Sequence, residues 1–141
     1  MSKLDGIKVR VEDPTTPHWV TENTRPLLHE IHHALQRLLE AGEVKTIDLA
    51  SLPMGPADEA RLLEILGVGE VEACIDAMGK SVIRETRFPG VWFIEHFNTD
   101  DQPMGRLIDI TFIPTLLLSQ TEDMRQGLAQ LSLYLQTDDA A

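Results

Sequence analysis

His29-Glu30-Ile31-His32-His33 has the form H-E-x-x-H, a spacing that spells out a known chemistry. On a helix it sets two imidazoles one turn apart, where they hold zinc while the glutamate between them serves as general base. The helical wheel argues against that use here. At roughly 100° per residue, the apolar face of the surrounding segment centres near Ile31 and Leu35. His29 and His33 fall on the opposite side and are expected to face solvent. Outside this cluster the histidines are His18 and His96, and neither lies on a second helix that would supply a third ligand. The expected reading is a solvated helix face with no metal site. A metal-dependent hydrolase using His29, Glu30 and His33 is kept as an alternative.

The other reactive groups are isolated. Cys74 is the single cysteine, which excludes an internal disulfide and a thiolate zinc cluster. It falls opposite Val71, Ala73 and Ile75 in an alternating stretch, and is expected to be a small, half-buried residue. A nucleophilic cysteine needs a basic neighbour, and the sequence around it offers none. His96 follows Phe93 and Ile94; pairing with an acid on a neighbouring strand is one option open to it, and it is expected to be structural rather than catalytic. No P-loop, dinucleotide fingerprint or Gly-x-Ser-x-Gly elbow is present. The chain therefore shows no catalytic residue and no cofactor motif.

A binding surface is the stronger reading, and it centres on Glu70, Glu85, Pro89, Gly90 and Trp92. Tryptophan offers large contact area at small entropic cost and is favoured in binding hot spots. Trp92 is either such a contact or a core residue. Glu70 and Glu85 are expected to meet across the open end of a hairpin, next to the Pro89-Gly90 bend, where their carboxylates would select a basic segment.

The elements that position these residues follow from periodicity and punctuation. A helix is expected over 26–41, with Asn23 or Thr24 near its cap, Pro26 in its first turn and Gly42 ending it. Leu27, Leu28, Ile31, Ala34, Leu35, Leu38 and Leu39 form its apolar face. A short strand is expected over 45–49 and a second helix over 57–66, with Leu62, Leu63 and Leu66 inward. Asp58 and Glu59 in its first turn complement the helix dipole. Gly67-Val68-Gly69 stops that helix. Alternation through Val71, Ala73, Ile75 and Ala77 then predicts a strand, Met78-Gly79 a hairpin turn, and Val82 to Glu85 the return. Pro89-Gly90 fits a type II turn or a bend within one long strand. Val91-Trp92-Phe93-Ile94 is apolar on both faces and reads as a central strand. A further strand is expected over 106–113, with Ile108, Ile110 and Phe112 on one face. A last helix is expected over 120–136, capped through Ser119-x-x-Glu122, with Met124, Leu128, Leu131 and Leu135 inward. The strands between 70 and 113 are consecutive, so the sheet should be antiparallel. The expected fold class is α+β, an antiparallel sheet of four to five strands with about three helices packed on it.

Composition sets outer bounds. The 141 residues suit one domain with a real core, at 43% apolar and 25% charged. Residues 1–24 read as a polar arm in which Ile7, Val9 and Val11 alternate and Trp19 tethers the arm to the core. Residues 25–136 form the folded domain and 137–141 an acidic tail. The net charge of −11 speaks against nucleic acid or an anionic membrane as partner. Cysteine usage and the lack of a secretory or membrane-spanning apolar run lead to an expectation of the cytoplasm.

Four stretches in this order carry a resemblance: Leu28-His29-Glu30-Ile31, Ile47-Asp48-Leu49 with Leu52-Pro53, Leu66-Gly67-Val68-Gly69-Glu70-Val71, and Glu85-Thr86 with Pro89-Gly90-Val91-Trp92. Together they resemble the C-terminal domain of the HupH/HyaF hydrogenase expression proteins, over about residues 25 to 136. The longer members carry an extended N-terminal region ahead of this part. The resemblance implies an accessory, chaperone-like role in maturing [NiFe]-hydrogenase, acting on the iron–sulfur small subunit. It implies no catalytic residues, and its partners would be that subunit or other maturation proteins. A homo-oligomeric structural module, in the simplest case a homodimer, is the remaining alternative.

Overall fold

The computed structural model describes residues 23–140. The arm expected before residue 23, with Ile7, Val9, Val11 and Trp19, lies outside the described residues. The chain runs α1 (Thr24–Ala41), β1 (Lys45–Asp48), a single 3-10 turn (Leu49–Ser51), α2 (Pro56–Leu66), β2 (Glu72–Asp76), β3 (Lys80–Glu85), β4 (Val91–Phe97), β5 (Pro103–Ile110), a second 3-10 turn (Thr115–Leu117) and α3 (Thr121–Ala140). Among the described residues, three helices and a five-stranded antiparallel sheet make this an α+β fold, as the order of elements predicted.

The strands lie in the order β1-β5-β4-β3-β2, so the apolar strand β4 is central and β1 and β2 are the edges. Consecutive hairpins build β2 to β5, and β1 closes the far side by pairing with β5. Residues opposite each other in antiparallel strands share a face. Val91 and Phe93 therefore face one way, with Ile108 and Ile110. Trp92 and Ile94 face the other way, with Ile83 and Leu107.

The first face carries the main core. Leu27, Ile31, Ala34 and Leu38 of α1 and Leu62 and Leu66 of α2 pack with Val91, Phe93, Ile108 and Ile110. The i, i+4, i+7 spacing in α1 is what turns those four side chains to one side. Leu39, expected on that face, is 74% exposed. It sits one step of the wheel past Leu38, beyond the edge of the sheet-facing stripe. Asn23 does not cap α1 with its side chain; its amide donates instead to the Pro53 carbonyl at 2.5 Å. An ion pair between Arg106 and Glu59, 2.9 Å, links β5 to α2 at the margin of this layer.

The hairpin turn falls at Met78-Gly79, as expected. Met78 has φ 55° and Gly79 φ 119°. Glycine suits the second position doubly, since a Cβ there would collide with the Phe97 carbonyl oxygen. Residues 86–90 join two antiparallel neighbours, so the Pro89-Gly90 segment is a chain reversal and not a bend within one strand. Thr86 closes it, with its backbone N–H and its hydroxyl both donating to the Val91 carbonyl, at 3.0 and 2.8 Å.

Three expectations fail at the C-terminal side. β5 ends at Ile110, not at residue 113, because its last partner is Val91, the first residue of β4. Phe112, placed beside Ile108 and Ile110 by alternation, is 69% exposed. The stripe Met124, Leu128, Leu131 and Leu135, expected inward, is exposed along its whole length. Amphipathic spacing marks a face to be covered; it does not say that the covering surface belongs to the same sheet. The first helical bond of α3 runs from the Met124 N–H to the Gln120 carbonyl, which puts the cap one residue after Ser119.

Candidate functional site

The second sheet face bears the candidate surface. Ile83, Trp92 and Ile94 form a small buried cluster there, with Ala73, Ile75, Leu107 and Leu117 around it. A strap of residues 111–118 crosses this face after β5. Pro114 is buried in it and Leu117 leans on the cluster. Two hydrogen bonds hold the start of the strap. The Trp92 Nε1–H donates to the Thr111 carbonyl at 3.1 Å, and the Thr111 N–H donates to the Gly90 carbonyl at 2.9 Å.

Trp92 is thus 6% exposed in the isolated chain, with its ring in the cluster and its indole nitrogen bonded to the strap. Glu85 stands directly opposite it across β3 and β4. The Glu85 carboxylate accepts weakly from the Glu70 N–H at 3.4 Å, and the Glu85 backbone bonds to both Gly69 and Val71. The hairpin therefore does bring Glu70 and Glu85 together, at the end of the sheet away from Met78-Gly79. Glu70 is exposed and Glu85 half-buried. Pro89 is exposed at the tip of the 86–90 turn, and Gly90, at φ 92°, lies against Leu35 of α1.

Sequence reasoning missed several members of this surface. Phe88 is 38% exposed beside Pro89, and the Arg87 guanidinium lies over its ring, 5.0 Å from the centroid. Such a contact suits a cation above the negative face of an aromatic ring. Phe112, Ile113, Leu116 and Leu118 point outward from the strap. The signal for them was the dense apolar run from 112 to 118 following a strand that had already reached its full length.

The reactive groups named from sequence stand elsewhere and apart. His29 and His33 are exposed on the outer side of α1, and Glu30 is paired with Lys45 at 3.1 Å. Glu43 lies near this side, and its carboxyl is held below the usual range by a hydrogen bond and ion pair with Arg37, with a smaller contribution from His33. Among the described residues no group of three or more His, Cys, Asp or Glu is placed to hold a metal ion. Cys74 is exposed, not half-buried as expected, because β2 is an edge strand with no described strand beyond it. It faces Val82 across the hairpin, and the adjacent Arg84 is engaged by Glu72 and Glu95. His96 finds Ser81 and not an acid: its Nδ1 lies 2.7 Å from the Ser81 hydroxyl on β3. No described helix is long and apolar enough to cross a membrane.

Known proteins resemble this arrangement along most of its length. A solved structure of the hydrogenase expression protein HupH from Thiobacillus denitrificans superposes with a TM-score of 0.80 and 40% identity, covering 84% of this chain and 98% of that one. The hydrogenase expression/formation protein HoxQ of Azotobacter vinelandii is 30% identical over 111 residues, 77% of this chain and 39% of its own. The hydrogenase-1 operon protein HyaF of Escherichia coli is 27% identical over 110 residues, 78% of this chain and 38% of its own. The chain thus spans about two fifths of the length of these curated relatives. The family model of the HupH hydrogenase expression protein, C-terminal conserved region, matches residues 21–137. That match takes in every described strand and nearly all of the last helix, and the chain belongs to the HupH hydrogenase expression protein family through this C-terminal region.

Proposed function

We propose that the chain is an accessory protein of [NiFe]-hydrogenase maturation that binds the precursor of the iron–sulfur small subunit, and that it acts by binding and not by catalysis. The observation that carries this reading is the family match across residues 21–137, together with relatives named as hydrogenase expression and formation proteins. The geometry is consistent with a binding module. The sheet end at Glu70, Glu85 and Pro89 combines carboxylates with the apolar Phe88 and Pro89, next to a turn fixed by Thr86. In this reading Glu70 and Glu85 attract a basic segment of the client. Pro89 and Gly90 give the turn its shape, and Trp92 holds the surface from beneath through the strap. The net charge of −11 favours the approach of a basic segment. The binding takes place before the subunit is exported, which puts the protein in the cytoplasm.

Capture from cells expressing a hydrogenase operon tests the reading. The small-subunit precursor is expected to co-purify with the tagged chain. Its absence, with the chain itself folded and abundant, would exclude it as the client.

A further inference from the structure

The helix α3 carries an exposed apolar stripe. Its described side chains, from Thr121 through Thr137, are all exposed. Met124, Leu128, Leu131 and Leu135 nevertheless fall at i, i+4, i+7 and i+11, the spacing of a buried stripe. Helices in proteins owe most of their stability to packing of such a face, and Gly127 in the interior weakens this one further. At its root lies an open groove of about 540 Å³, lined by Ile75 of β2, Leu116 and Leu118 of the strap, and Met124 itself. The helix cannot fill its own groove. At 1.5 Å per residue, Leu135 lies roughly 16 Å beyond Met124, pointing away along a continuous rod.

Charge and area identify the occupant. The protein carries a net charge of −11, so two copies repel over most of their surface. Residues 126–137 contain no Asp, Glu, Lys or Arg. This neutral stretch lets two acidic chains approach without facing like charges, and it offers nothing to attract a basic client. The apolar side chains exposed on the stripe and on the strap amount to roughly 600–800 Å² per copy, so pairing two copies would remove on the order of 1,200–1,600 Å², a standard stable interface.

We propose that two copies of this chain exchange α3, each laying its stripe into the groove and over the outer side of the strap of the other. The product is a two-fold homodimer, and exchange of an identical element is a low-cost route to one. Both halves of the interface, stripe and groove, are present on every chain.

The test is the mass of the full 141-residue chain by sedimentation equilibrium across the micromolar range, with hydrogen exchange of the α3 amides. The expected result is a mass near twice 15.8 kDa with α3 protected. Leu128→Glu with Leu131→Glu places two charges in the apolar contact and should weaken dimerisation by about 100-fold or more, while the near-ultraviolet tryptophan signal is retained. Met124→Ala with Leu135→Ala keeps helix propensity and should move the equilibrium the same way by about tenfold, which guards against misfolding of the charged variant. A monomer at all these concentrations overturns the proposal. If α3 is protected in that monomer, the chain's own residues cover it. A dimer indifferent to both double variants also overturns it, because its interface then lies elsewhere.

Discussion

Replacing Trp92 by phenylalanine separates its role in holding the strap from any direct role in contact. The ring stays in the cluster with Ile83 and Ile94, but the indole donor to the Thr111 carbonyl is lost. Thr111 is buried, so its carbonyl loses a partner out of reach of bulk water. Leaving such an acceptor unsatisfied costs about 1–3 kcal/mol. The smaller ring adds about 1 kcal/mol for the volume it no longer fills. The sum is about 2–4 kcal/mol, which for a chain of this size corresponds to a fall in Tm of about 6–12 °C. Circular dichroism on heating reads this without depending on the removed fluorophore. Hydrogen exchange should localise it, with the Thr111 amide, bonded to Gly90, exchanging faster than amides of β4. A loss below about 0.5 kcal/mol, the range of ordinary surface changes, would refute the view that Trp92 fastens the strap. So would a large loss spread evenly over the sheet. Trp92→Ala is the poorer probe, because emptying the site costs about 3–5 kcal/mol whatever the ring's role.

His29→Ala with His33→Ala should leave stability within about 0.5 kcal/mol, since both side chains are exposed on α1, and zinc analysis of untagged protein should find no stoichiometric metal. Neighbouring leucines of α1 should respond oppositely in urea denaturation: Leu38→Ala, at 2% exposure, by about 2–5 kcal/mol, and Leu39→Ala by less than about 0.5 kcal/mol. Gly79→Ala forces a Cβ onto the Phe97 carbonyl at an unfavourable φ, and should cost about 2–4 kcal/mol and loosen the β2–β3 hairpin in hydrogen exchange.

Much of the layout was legible because it is locally encoded. Gly42 and Gly67 stop α1 and α2, Met78-Gly79 turns the hairpin, and alternation along Ala73 and Ile75 gives β2 its faces. What failed was non-local. Alternation alone carried β5 on to Phe112, but a strand lasts only as long as its neighbour, and Val91 is the first residue of β4. The stripe on α3 was legible as a face to be buried, while its covering surface was not, because periodicity is identical for a partner in the same chain or another. Trp92 was ambiguous for the same reason. Its burial depends on a strap about twenty residues further on, tied by a bond from Nε1 to Thr111 that no local pattern announces. Glu70 and Glu85 were brought together correctly because the Met78-Gly79 hairpin fixes their approach.

Client binding is proposed at the end of the sheet that carries Glu70 and Glu85. The direct measurement is the affinity of the purified chain for the purified small-subunit precursor as a function of salt, compared with Glu70→Gln/Glu85→Gln. That pair removes charge at nearly constant shape, and charges at the rim of an interface act mainly on association rate and salt dependence. The unaltered chain should bind saturably. The double variant should keep its Tm, with weaker binding and a shallower salt dependence. Binding of equal strength and equal salt response in both proteins would contradict the placement of the surface, and no binding by the unaltered chain would contradict the proposed client.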